Sequence, residues 1–267
     1  MAIAEKNKVV VSRQAGYLGA RIDGFDISDM SDADMDVAWD LLMAHSVICL
    51  SGQSCSPADY LRFGARWGEI TKDGGRPVDG HPEITLLKNV GPRLTDIWHT
   101  DLSFMQRPPL ATMLMAIDVP EAGGDTLFAS QVAAWRGLSA PFQQFLTGLE
   151  ALHVDIPRGD GKPEEQRERA VHPIVRLVDG EPALYINGMY TRSVNGLTPE
   201  ESRALLDYLF THCTQPNFTF RHRWRKGDVL IWDNRRVQHF AIFDYEGQNR
   251  EMHRMVVRDT GRPGTGA

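Results

Sequence analysis

The chain has 267 residues, 42% of them hydrophobic, and a formal net charge of −6 at pH 7, which predicts one globular domain over residues 1–267 with a substantial core. Lysines and arginines are spread along the chain, and no block of basic residues indicates a nucleic-acid partner. The longest apolar runs fall far short of the ~20 residues that a membrane-spanning helix requires, so we expect no membrane anchorage.

The cysteines and the polar first residues indicate a reducing compartment. Three cysteines, Cys49, Cys55 and Cys213, lack the paired spacing of a disulfide framework or a zinc knuckle. Residues 1–8 lack the apolar core of a secretory signal. We therefore expect a cytoplasmic protein.

Helix signals mark four segments in chain order. Residues 32–44 follow Ser31 as a candidate N-cap, and their apolar positions recur at helical spacing. Residues 57–67 follow Ser56, with a proline at the first helical position. Residues 140–152 follow Ser139 and look helical, and a fourth helix begins with a capping-box sequence at Thr198 and extends to about residue 212.

Short apolar or alternating runs between turn residues predict strands. They cover residues 84–87, 111–117, 174–178 and 183–186 and, in the C-terminal third, residues 218–224, 228–232, 239–243 and 252–257. Many short strands with few helices predict a mainly β chain with flanking helices, whose core is closed or sandwiched. The charged segment 157–169 contains two glycines and is predicted to be a mobile surface loop.

The sharpest chemical signal is the sequence Trp98-His99-Thr100-Asp101. In an extended segment, residues i and i+2 share a face, so His99 and Asp101 could ligate one ion together. A further candidate ligand, His239, follows His99 by 140 positions. Two histidines and one carboxylate form the facial triad of non-haem Fe(II) oxygenases, which leaves three metal positions open.

Each part of this triad also has a plainer interpretation. A His-x-Asp sequence can arise by chance, and His239 is compatible with an inward-facing core histidine. His253 lies on the strand face opposite Arg250 and Arg254, which favours a structural role. The histidines without a partner at ligand spacing are interpreted as surface or packing residues: His45, His81, His153, His172, His212 and His222.

Two arginines follow His239 closely in the sequence. In a strand centred on Met252, Arg250 and Arg254 point the same way, and two guanidinium groups in one cavity require anions such as a carboxylate. The alternative is a pair of solvated arginines that contact surface acids. The hydroxyl of Thr126, which follows a glycine turn, is either a donor to the same carboxylate or simply the start of a strand.

As an ordered set, these motifs resemble the taurine dioxygenase family, which includes 2,4-dichlorophenoxyacetate dioxygenase and alkylsulfatase relatives. The resemblance extends from about residue 9 to residue 258. The motifs that carry it are Trp98-His99-Thr100-Asp101, Ser103-Phe104, Pro108-Pro109, Val119-Pro120, Gly123-Gly124-Asp125-Thr126, His172-Pro173, Ile231-Trp232-Asp233-Asn234-Arg235, His239 and residues 250–254.

The resemblance implies a double-stranded β-helix, or jelly-roll, of the cupin-like type. It implies Fe(II) held by His99, Asp101 and His239. It further implies 2-oxoglutarate chelating the iron through its keto acid end, with its far carboxylate on Arg250 and Thr126. The position of Arg254 is implied to contact the anionic group of the prime substrate.

The resemblance also bears on the type of reaction and on the assembly of the protein. Related halogenases lack the carboxylate found here at Asp101 and bind chloride in its place, so the resemblance favours hydroxylation. Members of the family are often dimers or tetramers, so the resemblance also implies a homo-oligomer.

The predicted substrate pocket departs from the sulfonate-binding members of the family. These members place a histidine in the loop after the second helix, and residues 71–76 contain none, which argues against taurine as the substrate. Lys72 and Arg76 are either anion contacts or solvated loop residues. Phe104 and Tyr190 are either pocket walls or packing residues. The segment 157–169 lies where the family has a variable lid, and such loops often set substrate choice.

The sequence thus predicts an Fe(II)- and 2-oxoglutarate-dependent dioxygenase that uses O2 and releases succinate and CO2. Its expected substrate is a small anionic organic molecule such as a carboxylate or sulfonate, which is hydroxylated and, where a heteroatom is attached to the oxidised carbon, fragmented. Two alternatives stay open. One is a cupin-like metal enzyme, a hydrolase or isomerase, that needs no keto acid. The other is a non-catalytic barrel that binds a small molecule.

Overall fold

The computed structural model describes residues 9–72, 74–89, 96–157 and 161–258. The helices in these residues are α1 (Asp32–His45), α2 (Pro57–Ala65), α3 (Gln131–Arg136), α4 (Ala140–Leu146) and α5 (Pro199–Cys213). Single turns of 3-10 helix cover Glu164–Gln166 and Pro216–Phe218.

Short strands make up most of the remaining regular structure. They are β1 (Val10–Arg13), β2 (Ala20–Asp23), β3 (Val47–Leu50), β4 (Glu69–Thr71), β5 (Pro77–Val78), β6 (His81–Lys88), β7 (Pro109–Asp118), β8 (Thr126–Ser130), β9 (Glu150–Val154), β10 (Arg169–Pro173), β11 (Val175–Val178), β12 (Glu181–Leu184), β13 (Thr191–Val194), β14 (Thr219–His222), β15 (Val229–Asp233), β16 (Val237–Ala241) and β17 (Glu251–Arg258).

Two sheets enclose the core that carries the candidate site. The major sheet has the order β1-β2-β3-β15-β7-β17-β6-β5, with β4 also paired to β17, and the minor sheet has the order β14-β8-β16. Most pairings are antiparallel, while β2 and β3 run parallel. The smaller sheets β10-β9-β13 and β11-β12 complete the strand pairings of the described residues. This is the mainly β jelly-roll with flanking helices that the sequence predicts.

The two faces of the major sheet bury different cores. Side chains between the sheets, such as Leu230, Trp232 and Met252, pack with Phe128 and Val237 of the minor sheet. The other face packs against α1 and α2, through clusters that include buried residues of both helices. Burial of apolar surface on both faces is the main stabilising contribution to the sheet.

Local capping explains why three helices begin where the sequence predicts. The Ser31 hydroxyl accepts from the Asp34 amide at the start of α1, while the Asp34 carboxylate accepts from the Ser31 amide. The same reciprocal box opens α2 at Ser56 and α5 at Thr198. Each box satisfies two backbone amides that the first helical turn leaves without partners.

The predicted helix over residues 140–152 is wrong beyond its first two turns. α4 ends at Leu146, Thr147 is extended, and Gly148 has φ +87°, a conformation that glycine adopts without steric cost. The chain then enters β9, where His153 and Val154 are buried. The local helical pattern is overridden because β9 pairs on both sides, with β10 and with β13.

Several predicted strands are found with shifted ends. The predicted strand over residues 239–243 begins two residues earlier, at Val237, and ends at Ala241. The strand predicted over residues 218–224 contains only Thr219–His222, because Pro216–Phe218 forms a 3-10 turn before it. Strand ends are set by pairing with distant segments, which a local pattern does not contain.

The segment 157–169 is described only in part, since residues 158–160 lie outside the described residues. Its last residue, Arg169, already belongs to β10, and a 3-10 turn covers Glu164–Gln166. The mobility of this segment stays a prediction. Within the described residues, the structure contains no helix whose length and apolar character would let it cross a membrane.

Candidate active site

Backbone pairing brings the three predicted metal ligands together. His99 and His239 form an isolated antiparallel bridge, in which each amide donates to the carbonyl of the other at 3.0 and 2.8 Å. The two imidazole rings therefore lie close together, with centroids 4.0 Å apart and planes inclined by 47°. Asp101 Oδ1 lies 3.9 Å from His99 Nε2, and Oδ2 lies 3.8 Å from His239 Nε2. Ligand atoms of these three buried residues lie within 4.8 Å of one another.

Both imidazoles are held in the neutral form that binds metals. His99 Nδ1 lies 2.7 Å from the Ile97 carbonyl oxygen, which can only accept a hydrogen bond, so the proton is assigned to Nδ1 and the Nε2 lone pair points toward Asp101. Burial lowers the pKa of His99, and burial together with the neighbouring His99 ring lowers the pKa of His239 to about 3. The Nδ1–H of a ligand histidine bound to a carbonyl is the usual way in which proteins orient a metal ligand.

The carboxylate of Asp101 stays ionised although it is buried. Burial disfavours the charge, but the Arg254 guanidinium and the hydrogen bond from the Thr112 hydroxyl hold the pKa of Asp101 well below its usual range. Arg254 Nη2 lies 2.6 Å from Asp101 Oδ1. One carboxylate between two neutral imidazoles is a donor set that suits Fe(II), so these residues fit the implied metal.

A chain of hydrogen bonds supports the other carboxylate oxygen. The Thr112 hydroxyl donates to Asp101 Oδ2 at 2.7 Å and accepts from Asn234 Nδ2 at 2.9 Å. Asn234 Oδ1 in turn accepts from the Trp232 indole at 3.1 Å. Sequence reasoning missed Thr112, although a buried hydroxyl within the apolar strand β7 is a signal that could have found it. Asn234 lies in a motif that the resemblance used without giving it a role.

The two candidate 2-oxoglutarate residues both lie next to the glycine turn at residues 123–124. Thr126 is buried, and its hydroxyl oxygen accepts from the Trp224 indole at 3.1 Å, which leaves its O–H available as a donor. The Arg250 Nε–H donates to the Gly124 carbonyl at 3.1 Å. Phe128, on the same face of β8 as Thr126, stacks on the His239 ring with a centroid distance of 6.0 Å. The face of β8 that bears Thr126 therefore leads to the metal centre.

Burial of Arg250 depends on the glycine beside it. A Cβ at Gly124 would lie 3.1 Å from Arg250 Cδ and 3.1 Å from a carbon of the Tyr245 ring, and Gly124 has φ +69°. The Arg250 guanidinium carbon lies 5.7 Å from the centre of that ring. Burial lowers the pKa of Arg250, while Tyr245 and Asp125 oppose that shift. A buried guanidinium of this kind favours an anionic partner.

The predicted alternation along the last strand holds for part of its length. Met252 lies in the core between the sheets and Arg254 contacts Asp101, so these residues share a face as predicted. β17 begins at Glu251, one residue after Arg250, so the predicted alignment of Arg250 with Met252 and Arg254 stays a prediction.

A cavity of about 390 Å³ lies beside the segment that follows Asp101. Phe104 lines it together with Leu102, and Tyr190 packs edge-on against Phe104 with a centroid distance of 5.1 Å. Lys72 also lines the cavity, and its Nζ lies 3.6 Å from Glu83 Oε1. Residues of the predicted lid complete the lining: Lys162, Gln166, Arg167 and Glu168.

Arg76 lies apart from the other candidate substrate contacts. Its side chain is exposed, and the described residues that line the cavity do not include it. Its carbonyl accepts from the Leu86 amide at 2.7 Å, which holds the backbone of this loop against β6. The structure therefore brings Lys72 to the cavity and leaves Arg76 at the surface.

Of the remaining histidines, which the sequence interprets as surface or packing residues, most are packing residues. His153 Nδ1 lies 3.0 Å from Ser103 Oγ, His172 Nε2 lies 3.0 Å from the Met105 carbonyl, and His212 Nε2 lies 2.7 Å from the Ala134 carbonyl. His222 is buried as well, and it lies beside a carboxylate. The turn before β15 brings Asp228 Oδ2 to within 3.4 Å of His222 Nε2.

Known proteins resemble this chain along most of its length. The profile of the family described as "Taurine catabolism dioxygenase TauD, TfdA family" matches residues 11–256. An alpha-ketoglutarate-dependent sulfate ester dioxygenase of Pseudomonas putida is 32% identical over 91% of this chain and 87% of the relative. An alpha-ketoglutarate-dependent 2,4-dichlorophenoxyacetate dioxygenase of Cupriavidus pinatubonensis is 36% identical over 82% of this chain and 86% of the relative.

A longer relative and a solved structure extend the likeness. An alpha-ketoglutarate-dependent sulfonate dioxygenase of Saccharomyces cerevisiae is 31% identical over 91% of this chain, which spans 64% of that relative's length. The crystal structure of a taurine dioxygenase from Burkholderia xenovorans superposes with a TM-score of 0.84 at 31% identity, covering 94% of this chain and 89% of that chain. All the candidate site residues lie inside the matched range.

Proposed function

The chain belongs to the taurine catabolism dioxygenase TauD, TfdA family, and from that premise we propose that it is an Fe(II)- and 2-oxoglutarate-dependent dioxygenase that hydroxylates a small anionic organic substrate. Succinate and CO2 are the products of the 2-oxoglutarate half of this reaction. The observation that carries the proposal is the convergence of His99, Asp101 and His239, whose donor atoms lie within 4.8 Å of one another.

His99, Asp101 and His239 would hold the iron, and the other residues would position what reacts there. When bound, iron and 2-oxoglutarate supply the activation of O2 and the oxidation of a substrate C–H bond. The neutral imidazoles and the ionised Asp101 give the centre one negative charge, which partly offsets the charge of a divalent cation. Thr112 orients the Asp101 carboxylate through its 2.7 Å hydrogen bond.

Arg250 and Thr126 would bind the far carboxylate of 2-oxoglutarate. The guanidinium is buried and needs an anion, and the Thr126 hydroxyl has its O–H available as a donor. A guanidinium binds a carboxylate with two parallel hydrogen bonds, which fixes orientation as well as charge. These two residues would thereby orient the keto acid toward the metal centre.

Arg254 would hold the anionic group of the prime substrate beside the metal centre. Its Nη2 contacts Asp101 Oδ1 at 2.6 Å, so the guanidinium stands at the edge of the ligand set. The cavity next to Phe104 would receive the body of the substrate, with Tyr190 packed behind that ring. Lys72 adds a cationic side chain to this cavity and would support binding of an anion. The lid residues that line the cavity would exclude water when substrate binds.

The proposal includes a cellular location and an assembly. Free thiols at Cys49, Cys55 and Cys213 support a cytoplasmic enzyme. The homo-oligomer implied by the resemblance stays a prediction, which size-exclusion chromatography with light scattering would check.

An anaerobic titration with Fe(II) and 2-oxoglutarate tests the proposal. Bidentate chelation of the iron by the keto acid should give a weak visible charge-transfer band, which His99→Ala should abolish and His81→Ala should retain. Succinate should then form under air in the presence of candidate carboxylates, sulfonates, sulfate esters and aryloxy acids. Absence of the band from the native protein, or its persistence in His99→Ala, would overturn the proposal. A metal enzyme without keto acid chemistry would bind Fe(II) and give no band.

A further inference from the structure

A second cluster of buried donors lies between the two sheets. Cys49 comes from β3, Asp228 directly precedes β15, and His222 ends β14 of the minor sheet. One ligand atom from each of these residues lies within 4.8 Å of the others, and all three residues are buried. None of them belongs to the candidate active site. We refer to these residues as the Cys49–His222–Asp228 cluster.

The imidazole of His222 lies close to Asp228 but makes no hydrogen bond of normal geometry with it. His222 Nε2 is buried and has no hydrogen-bond partner within the described part of the chain, although Asp228 Oδ2 lies 3.4 Å away. A buried polar atom that lacks a partner is costly, so its placement calls for an explanation. An ion that accepts the lone pair of Nε2 would supply one.

Hydrogen bonds explain the position of Asp228, while Cys49 packs in the core between the sheets and His222 packs edge-on against Trp224 with a centroid distance of 4.7 Å. Asp228 Oδ2 accepts from the Arg225 amide at 3.0 Å, and Oδ1 accepts from Arg21 Nη1 at 3.2 Å. These contacts close the turn and pair the buried charge. They leave unexplained why a thiol and an imidazole from two different sheets converge on the same carboxylate.

We propose that Cys49, His222 and Asp228 form a second metal site, which takes a divalent cation of the Zn²⁺ class and joins the two sheets. Thiolate, imidazole and carboxylate are the donors that such a cation prefers. Two ligands of a tetrahedral ion, each about 2.0–2.1 Å from it, are about 3.3 Å apart, close to the 3.4 Å between His222 Nε2 and Asp228 Oδ2. A water molecule completes the coordination.

The surroundings of the cluster provide both access and an outer partner. A cavity of about 220 Å³ reaches Cys49 and His222 and is also lined by Gln14 and Arg21. Arg21 hydrogen-bonds Asp228 Oδ1, and an outer partner of this kind orients a ligand carboxylate. The same guanidinium lies 3.9 Å from Cys49 Sγ, where its charge favours the thiolate.

Metal binding at this site requires the loss of one proton. Burial and the nearby Asp228 raise the pKa of the Cys49 thiol well above its usual range. The thiol must release its proton to solvent when the metal–sulfur bond forms.

Cobalt(II) titration of the chelator-treated protein tests this site separately from the candidate active site. Because His99, Asp101 and His239 include no thiolate, a sulfur-to-cobalt charge-transfer band reports the second site only. We expect this band to disappear in Cys49→Ser and to be retained in His99→Ala, where it should saturate at one equivalent because the candidate active site no longer competes for cobalt. Zn²⁺ should displace the cobalt and abolish the band.

Two further variants make the test independent of a folding defect. His222→Gln keeps the thiol and should weaken cobalt binding by about tenfold or more, with an unchanged circular dichroism spectrum. Cys55→Ser alters a half-buried thiol outside the cluster and should leave the band intact. Absence of the band from the native protein, its retention in Cys49→Ser or its loss in Cys55→Ser would overturn the proposal. None of these outcomes depends on whether the protein is a dioxygenase.

Discussion

The hydroxyl of Thr112 supports the candidate metal ligand Asp101. It is fully buried in an otherwise apolar stretch of β7, where a polar side chain is costly unless it is hydrogen-bonded. Its two bonds link Asn234 to Asp101 and satisfy all three side chains at once. The threonine at position 112 is therefore explained by its hydrogen bond to the Asp101 carboxylate rather than by packing within the strand.

Replacement of this hydroxyl should weaken metal binding. Thr112→Val keeps the shape of the side chain but removes the donor to Asp101 Oδ2, and loss of such an outer partner typically costs about 10–100-fold in metal affinity. Anaerobic Fe(II) titration would measure the change. Thr112→Ser restores the hydroxyl and should recover most of the affinity, whereas equal affinities for the Val variant and the native protein would exclude the positioning role.

Arg250 should govern the affinity for 2-oxoglutarate without altering that for iron. Arg250→Ala removes a buried guanidinium, and truncation of a buried charged pair costs about 2 kcal/mol or more, or roughly 30-fold in affinity. Titration of the visible band with 2-oxoglutarate at saturating Fe(II) would measure this. A variant with native affinity for 2-oxoglutarate would exclude Arg250 as its anchor.

Arg254 should govern the affinity for the prime substrate rather than that for 2-oxoglutarate. Arg254→Ala is expected to raise KM for the prime substrate by a larger factor than KM for 2-oxoglutarate, because its guanidinium lies at the Asp101 side of the centre. Steady-state kinetics with each substrate varied in turn would separate the two effects. Equal increases in both values would contradict the assignment.

Helices and strands differ in how far local sequence determines them. The capping boxes at Ser31, Ser56 and Thr198 are complete within four residues, so the starts of α1, α2 and α5 are predictable from sequence. The end of α4 is not, because pairing of β9 with two distant strands overrides its local pattern. The same dependence on distant partners shifts the ends of β14 and β16.

The glycine turn before β8 should be sensitive to a single added methyl group. Gly124→Ala would place Cβ against Arg250 and Tyr245 and would impose φ +69° on alanine. Gly148→Ala is the matched control, because Gly148 has φ +87° but open space around it. Both variants should lose about 1–2 kcal/mol of unfolding free energy from the backbone. In addition, only Gly124→Ala should bind 2-oxoglutarate more weakly, as titration of the visible band would measure.

Across the whole molecule, sequence reasoning found residues whose chemistry is local and missed those that the topology brings together. His99 and Asp101 are two positions apart and could be paired from sequence, whereas Cys49 and His222 meet only because β3 and β14 face each other. Thr112 and Asn234 were missed for the same reason, since 122 positions separate them. The fold class was therefore predictable and the candidate ligands could be chosen from the sequence, while the contacts that support them could not.

Buried neutral histidines should make the metal-free protein unstable in mild acid. Burial lowers the pKa of His153 to about 3, so the unfolded chain, in which a histidine titrates near pH 6.5, binds more protons than the native protein below that pH. Stability should therefore fall as pH drops from about 6.5 to 5, by up to ~1.4 kcal/mol per pH unit for this residue. Urea unfolding at several pH values would show a shallower dependence in His153→Gln, and an unchanged slope would contradict the argument.

The reciprocal amide bonds between His99 and His239 tie two ligands to a common piece of main chain. A shift of either segment by one residue would break this register and turn its ring away from the other, so the two rings keep their places only together. Asp101, by contrast, reaches the centre through a side chain that a neighbouring hydroxyl steers. Anyone who redesigns this protein for a different ion should therefore leave the histidine pair as a rigid unit and vary the acid and its supports.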